Sequence, residues 1–261
     1  MITSWSSGIA DKNMDEAILV ELAEIITRHP WWAARGQLMI DLLRRVEIHA
    51  PAKVLDAGCG WGTNLTLLEQ IGYDVTGLDI SRKSLQKLDR IDRKLVEADL
   101  NKDLPVEVPQ FDAVLALDVI EHIDDDRAAV LRLGRLVRPN GYVVVSVPAL
   151  PELYSEFDEV QGHRRRYSPD DLAHAFDGTG LEVKDMFWWG QWMARVLSRR
   201  KAKNRARPGD TTAQVYMRYL SLPRWPASWV IKLMFLSDHR RTLKGQNTTG
   251  TSLFAVAQRP H

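Results

Sequence analysis

Val54-Leu55-Asp56-Ala57-Gly58-Cys59-Gly60-Trp61-Gly62-Thr63 decides the fold. The short, nearly unbroken apolar run at its start reads as a strand buried on both faces. It ends in three glycines at every second position, and a helical pattern follows at 64–70. Glycine carries no Cβ and adopts positive φ freely, so the backbone of such a turn can approach a ligand closely. In a doubly wound sheet, ligands sit at the carboxyl ends of the strands, where the strand order reverses. A dinucleotide fingerprint would have its third glycine one residue later, with a pyrophosphate on the helix N-terminus. Asp56, just ahead of the turn, repels a pyrophosphate and suits a ligand carrying an ammonium and a sulfonium.

Outward from this stretch, apolar runs at 54–57, 75–78, 94–97, 113–117 and 142–147 alternate with helical patterns at 64–70, 81–90 and 125–137. Strands separated by helices imply an α/β fold: a doubly wound, mainly parallel sheet with helices on both faces. Two amphipathic segments precede the core, at 14–28 and 35–47. Pro139-Asn140-Gly141 is expected to turn the last core helix into its strand. Further on come a helix started by Pro169, a strand over 181–188, a helical pattern at 215–236 broken by Pro223 and Pro226, and a strand-like run at 252–257.

Acids stand at the ends of the next two strands. Asp79, in Gly77-Leu78-Asp79-Ile80, can accept hydrogen bonds from two ribose hydroxyls. Asp99-Leu100 can bind an adenine amino group and pack its ring. Each acid alone reads equally as a helix N-cap. Three of them at successive strand ends, in register with a glycine turn, exceed what capping explains.

Composition sets bounds on function. The chain has 261 residues, with 45% hydrophobic and 26% charged residues, as expected for one globular domain. A formal net charge of +1 gives no global field toward nucleic acid. The single cysteine, Cys59, permits neither an intramolecular disulfide nor a thiolate metal site. The first residues show no signal-peptide pattern and no segment has the length of a membrane span, so a cytoplasmic protein is expected. Seven of the nine tryptophans cluster at 31–32, 188–192 and 225–229.

The set VLDAGCGWG, GLDIS, EADL, FDAVLALDVIEHI and LVRPNGYVVVSVP, covering roughly residues 53–148, resembles in order and spacing the class I (Rossmann-like) S-adenosylmethionine (SAM) dependent methyltransferase family. The resemblance implies SAM as cofactor and a seven-stranded sheet whose last strand is antiparallel, with 253–257 as that strand. It places Asp56, Gly58, Gly60 and Gly62 at the methionine end of the cofactor, Asp79 with Ile80 at the ribose, Asp99 and Leu100 at the adenine, and Leu117 and Asp118 beneath the sulfonium. His29-Pro30-Trp31-Trp32-Ala33-Ala34-Arg35 resembles a segment of a bacterial branch of the family. There an arginine pairs with the cofactor carboxylate and aromatic residues cover it, which makes Arg35 and Trp32 candidates. The alternative for Arg35 is a surface position on an amphipathic helix.

Glu121-His122 resembles the same pair in the ubiquinone O-methyltransferases, where acidic residues and the histidine can bind a divalent cation. Asp118, Glu121 and His122 are then a candidate metal set. In metal-independent relatives the histidine packs near the cofactor instead, and a site without metal is the expectation taken forward. The segment 154–168 resembles a Gly-His-x-Arg-Arg-Tyr loop of bacterial methyltransferases associated with glycan or lipid-linked pathways. In it His163 is the candidate base, Tyr167 offers a hydroxyl, and the arginines suit a carboxylate or phosphate. The structural alternative pairs those arginines with Asp158 or Glu159 and places Tyr167 before a Ser168 helix cap.

The expected organisation is a single domain over 1–261. It has N-terminal helices at 1–50, the SAM-binding core at 53–148, an acceptor loop at 149–170, a helical lid or insertion at 189–249 and a closing strand at 250–258. The basic run 195–207 and the neighbouring tryptophans suit a lid or a peripheral membrane contact. The expected function is methyl transfer to an oxygen or nitrogen of a small-molecule or lipid- or glycan-linked acceptor, with His163, His122 and Tyr167 as catalytic candidates. The alternatives are an RNA methyltransferase, which the near-neutral charge disfavours, and a SAM-binding protein without catalysis.

Overall fold

A computed structural model describes residues 2–6, 29–89, 93–200, 209–211, 214, 215, 217, 227–245 and 248–261. The amphipathic segment 14–28, residues 201–207 of the basic run and most of 215–226 lie outside the described residues.

Eight strands form one sheet: β1 (Ile2–Ser4), β2 (Lys53–Ala57), β3 (Asp74–Asp79), β4 (Lys94–Glu97), β5 (Phe111–Leu117), β6 (Val137–Pro148), β7 (Glu182–Trp189) and β8 (Ser252–Gln258). Their order is β1-β4-β3-β2-β5-β6-β8-β7. All neighbours are parallel except that β8 runs antiparallel to both β6 and β7. The closing antiparallel strand is therefore as expected. The sheet has one strand more than the expected seven: β1 adds to the edge strand β4, with Ile2 opposite Leu95 and Ser4 opposite Glu97. Three residues without apolar periodicity carry no strand signal of their own; the exposed edge of β4 recruits them.

Side chains alternate between the two faces, as strand geometry requires. On one face Leu55, Val114, Ala116, Val143, Val145 and Ala255 pack with Ala129, Val130 and Leu133 of helix α4 (Asp126–Leu136). On the other face Val54, Ala113, Leu115, Val144 and Phe254 pack with α1 (Pro30–Arg45), α2 (Thr63–Gln70), α3 (Arg82–Leu88) and α8 (Ala227–Leu243). The shorter helices are α5 (Glu156–Val160), α6 (Pro169–His174) and α7 (Gln191–Arg200).

Helix α1 starts five residues before the expected 35, because Pro30 occupies its first turn and His29 Nδ1 accepts from Trp31 N at 3.2 Å. Strand β6 likewise starts at Val137 rather than 142. Pro139-Asn140-Gly141 forms a bulge inside the strand, with Asn140 at φ 60°. The Trp189 side chain, read as the start of a lid, is the last residue of β7 and fully buried. It packs on Trp31, Phe235 and Phe254, and Trp192 packs edge-on to Phe235. Trp32 packs edge-on against Trp31, so four of the scattered tryptophans join one aromatic cluster.

Asp238 of α8 accepts from Gly190 N at 2.7 Å and Gln191 N at 3.0 Å, and His239 lies 2.8 Å from Asp41 of α1. The described C-terminal helix is therefore fastened to β7 and α1. Among the described residues, no helix is long and apolar enough to cross a membrane.

Candidate active site

The strand order reverses between β2 and β5, and a cleft opens at their carboxyl ends. Gly58 donates to Leu78 O at 2.7 Å, and Cys59 to the same oxygen at 3.0 Å, which folds the glycine turn across the end of β3. Gly58 has φ 76°, and a Cβ there would lie 2.4 Å from Val119 Cγ2. Glycine is required at this point both by conformation and by the close approach of the segment after β5. The turn is held by Asp79, whose Oδ2 accepts from Gly60 N at 2.8 Å and whose Oδ1 accepts from Ser81 N at 2.8 Å. Ser81, not Asp79, caps helix α3 with its side chain.

The cleft walls comprise Gly58, Gly60 and Trp61 of the turn, the Leu78–Ser81 segment with Ser84, the 98–101 segment, and Asp118, Val119, His122 and Ile123. The predicted Gly58, Gly60, Asp79, Ile80, Asp99, Leu100 and His122 are therefore brought together. Trp61, Ser81, Ser84, Asn101, Val119 and Ile123 were not singled out from sequence, though each adjoins a predicted residue or lies one turn away. Asp99 Oδ1 accepts from Asn101 N at 2.9 Å and from Asn101 Nδ2 at 3.0 Å, which fixes the carboxylate at the cleft.

Trp32, Arg35, Asp56 and Leu117 are not on these walls. Trp32 stacks edge-on against Trp31 and His29. Leu117 is in the core. Arg35 is only 7% exposed and so is not a surface arginine. Its guanidinium pairs with Asp118 and lies 4.6 Å over the Trp31 ring. Asp118 has φ 58°, a left-handed conformation that aspartate tolerates better than most residues. Its Oδ1 accepts from Ser146 Oγ at 3.2 Å.

Burial pushes the Asp56 carboxyl up to about 7, against the hydrogen bond from Asn64 and the charge of Arg35. Asp56 Oδ2 and Arg35 Nε are both buried without a hydrogen-bond partner among the described residues. Unpaired buried polar atoms are costly, and an acceptor oxygen and a guanidinium N–H are what an amino acid's ammonium and carboxylate require. The residues present fit the methionine end of SAM.

Beyond Asp118 the loop of 154–167 folds onto the turn at Ile120–His122. Arg164 N donates to Glu121 O at 2.9 Å, and His122 Nδ1 lies 3.2 Å from Gly162 O. Asp158 is fully buried and works in two directions. Its Oδ2 closes the capping box of α5 with Ser155, while its Oδ1 meets His163 Nδ1 at 3.0 Å and Arg166 Nε at 2.8 Å. Burial alone would raise this carboxyl, but the hydrogen bond from His163 and the charge of Arg166 outweigh it and hold it below the usual range. His122 and His163 meet edge-to-face with ring centroids 4.8 Å apart. Burial, then His163, pushes the His122 imidazole down to about 3, so it is neutral at physiological pH. Glu121 is completely buried, and its carboxyl lies well above the usual range through burial and the neighbouring Asp118.

The three loop arginines are engaged internally: Arg164 with Asp124, Arg165 with Asp126, and Arg166 with Asp158 and Ala149 O. Tyr167 is 1% exposed, and its hydroxyl donates to Asp126 Oδ2 at 2.9 Å. It does not line the cleft, and Ser168 caps α6. Of the set suggested by resemblance, Asp118 with Glu121 and His122, Asp118 is paired with Arg35 and accepts from Ser146.

A family model described as a methyltransferase domain matches residues 31–185, more than half of the chain. The chain belongs to this methyltransferase-domain family. The domain is 31% identical over 152 residues to a ubiquinone biosynthesis O-methyltransferase of Chromobacterium violaceum. That match covers 51% of this chain and spans 63% of the relative's length. Among solved structures, one chain of a Haloferax volcanii complex that holds the Trm112 methyltransferase activator superposes with a TM-score of 0.62 at 18% identity, covering 97% of this chain and all of that one. The Haemonchus contortus phosphoethanolamine N-methyltransferase 2, solved with S-adenosyl-L-methionine, superposes with a TM-score of 0.52 at 18% identity, over 86% of this chain and 52% of its own. At those identities the likeness to both structures is one of fold.

Proposed function

We propose that the protein transfers a methyl group from SAM to an oxygen of a small-molecule or lipid-linked acceptor. The observation that carries the reading is the convergence, at one cleft, of the glycine turn with Asp79 and Asp99 on one side and His122 on the other, with His163 off the cleft walls but in edge-to-face contact with His122. Asp79 is assigned to the ribose, Asp99 and Leu100 to the adenine, and Asp56 and Arg35 to the methionine ammonium and carboxylate. Arg35 is paired with Asp118, so an ammonium arriving at Asp56 would favour the ionised form of that buried carboxyl.

SAM supplies a methyl carbon on a sulfonium. The chain's task is to bring an acceptor oxygen in line with that carbon, exclude water and take up the proton the oxygen loses. Asp118 and Val119 border the place where the oxygen arrives. His163 is the group that takes the proton, because Asp158 orients it through Nδ1 and leaves Nε2 as acceptor, while the neutral His122 packs against it and borders the cleft. The named relative is an O-methyltransferase, which supports oxygen over nitrogen. The lipid-linked form is favoured by α8, where Trp229, Val230, Leu233 and Leu236 are 58%, 48%, 43% and 44% exposed along one side of the helix.

The test is transfer of a labelled methyl group to a panel of phenols, each offered free and as a prenylated counterpart in vesicles. Release of S-adenosylhomocysteine with a labelled ether product is expected. His163→Gln should lower turnover at least a hundredfold while SAM affinity changes less than twofold. Tight SAM binding with no product from any hydroxylated acceptor would leave a SAM-binding protein without catalysis.

A further inference from the structure

We infer that Ser6, carried to the cleft by β1, is a positioning residue for the adenosine half of the cofactor and acts through Asp99. The inference rests on the reading of the cleft as a SAM site. Strand β1 runs parallel to β4, and one residue past it Trp5 N donates to Glu97 O at 2.9 Å. The next residue reaches the cleft wall from outside: Ser6 Oγ accepts from Asp99 N at 3.1 Å, across 93 positions of sequence. Ser4 Oγ donates to Ser6 O at 2.9 Å and ties Ser6 back to the strand. The Trp5 side chain is half-buried against the core cluster that includes Ala98 and Leu100.

The Ser6 contact completes the fixing of Asp99. The Asp99 backbone oxygen accepts from Lys102 N at 3.0 Å, and Oδ1 accepts from Asn101 N and Nδ2. With Ser6, these bonds engage the amide hydrogen, the carbonyl and one carboxylate oxygen. That leaves Oδ2 as the acceptor for an adenine amino group. Arg132 of α4 donates to Leu100 O at 3.2 Å and to Asp103 Oδ1 at 3.2 Å, so the same segment is also held from the helix side. Affinity is gained when an acceptor is fixed before its ligand arrives, because less ordering cost remains at binding.

Ser6 is not on the cleft walls, whereas Asp99 is, so Ser6 acts through Asp99 rather than by touching the cofactor. Strand β1 itself adds little to the core: Ile2 is half-buried, and Thr3 and Ser4 are exposed. Losing the Ser6 contact should therefore be felt at the cofactor before it is felt in the fold. The coupling is reciprocal. A strand whose docking fixes the adenine acid is itself held down by the bound cofactor.

The experiment is calorimetric titration of the full chain with SAM, S-adenosylhomocysteine and 5′-methylthioadenosine, which keeps the adenosine half and lacks the amino acid. Ser6→Ala should weaken all three by a similar factor, about threefold to tenfold for one hydrogen bond. Ser6→Thr keeps the hydroxyl and should stay within about twofold. The melting temperature of the ligand-free Ser6→Ala protein should stay within about 2 °C of the wild type. On an Asp99→Ala background, Ser6→Ala should add no further loss. Hydrogen exchange at the Trp5 and Asp99 amides should slow when SAM binds. Unchanged affinity in Ser6→Ala, beside a wild type that binds, would overturn this inference alone. So would a loss that recurs in full on the Asp99→Ala background, or exchange at both amides that ignores SAM. A folded wild type that binds none of the three ligands would overturn the cofactor reading and this inference together.

Discussion

If Asp56 holds the SAM ammonium, affinity must depend on pH in a way set by its burial. The buried carboxyl titrates near 7, whereas its unfolded value is 3.8. Only the ionised form attracts an ammonium. At pH 7 about half of the molecules carry it, and at pH 5 about one in a hundred. SAM should therefore bind about fiftyfold more weakly at pH 5 than at pH 7, roughly 2.3 kcal/mol. Binding at pH 5 should release close to one proton, measurable by calorimetry in two buffers of different ionisation enthalpy. The sign for stability is opposite. A group whose folded pKa is raised costs stability as pH climbs from near 4 towards 7, because the unfolded chain ionises first. Asp56→Asn should accordingly raise the melting temperature of the SAM-free protein at pH 7.5, have little effect on it at pH 4.5, and flatten the pH dependence of SAM affinity. Equal wild-type affinities at pH 5 and pH 7 with no proton release, in protein shown to be folded at both, would refute the assignment.

Two further perturbations separate cofactor holding from folding. Asp79→Ala removes the acceptor for Gly60 N and Ser81 N as well as the proposed ribose contact, so SAM affinity should fall tenfold to a hundredfold, in the range of about 1.5–3 kcal/mol for hydrogen bonds to a charged group; unchanged affinity by titration would remove Asp79 from the site. Tyr167→Phe loses the buried bond to Asp126 and should lower the melting temperature by several degrees, in line with about 1.5–3 kcal/mol, while turnover below that temperature stays within twofold. A hundredfold loss of turnover without a stability change would make Tyr167 catalytic.

The sequence by itself determined the sheet and one wall of the site. Strands buried on both faces appear as short apolar runs, and glycine and aspartate at their ends mark the ligand side, because each signal depends on backbone conformation and burial within a few residues. That is why 54–63, Asp79 and Asp99-Leu100 could be read directly. Tertiary structure decided the rest. Arg35 meets Asp118 across 83 positions, Tyr167 meets Asp126 across 41, and Arg164 donates to the backbone of His122 across 42. No local pattern distinguishes an arginine that will bind substrate from one that will close a loop onto a neighbouring turn. The edge strand β1 is of the same kind: three residues without periodicity become a strand because β4 offers unpaired backbone groups beside them. The His122–His163 contact and the unpartnered carboxylate of Glu121 likewise exist only once the loop of 154–167 has folded back. Their chemistry follows from which polar atoms are left without water or donors, a property of packing that residue order alone does not carry.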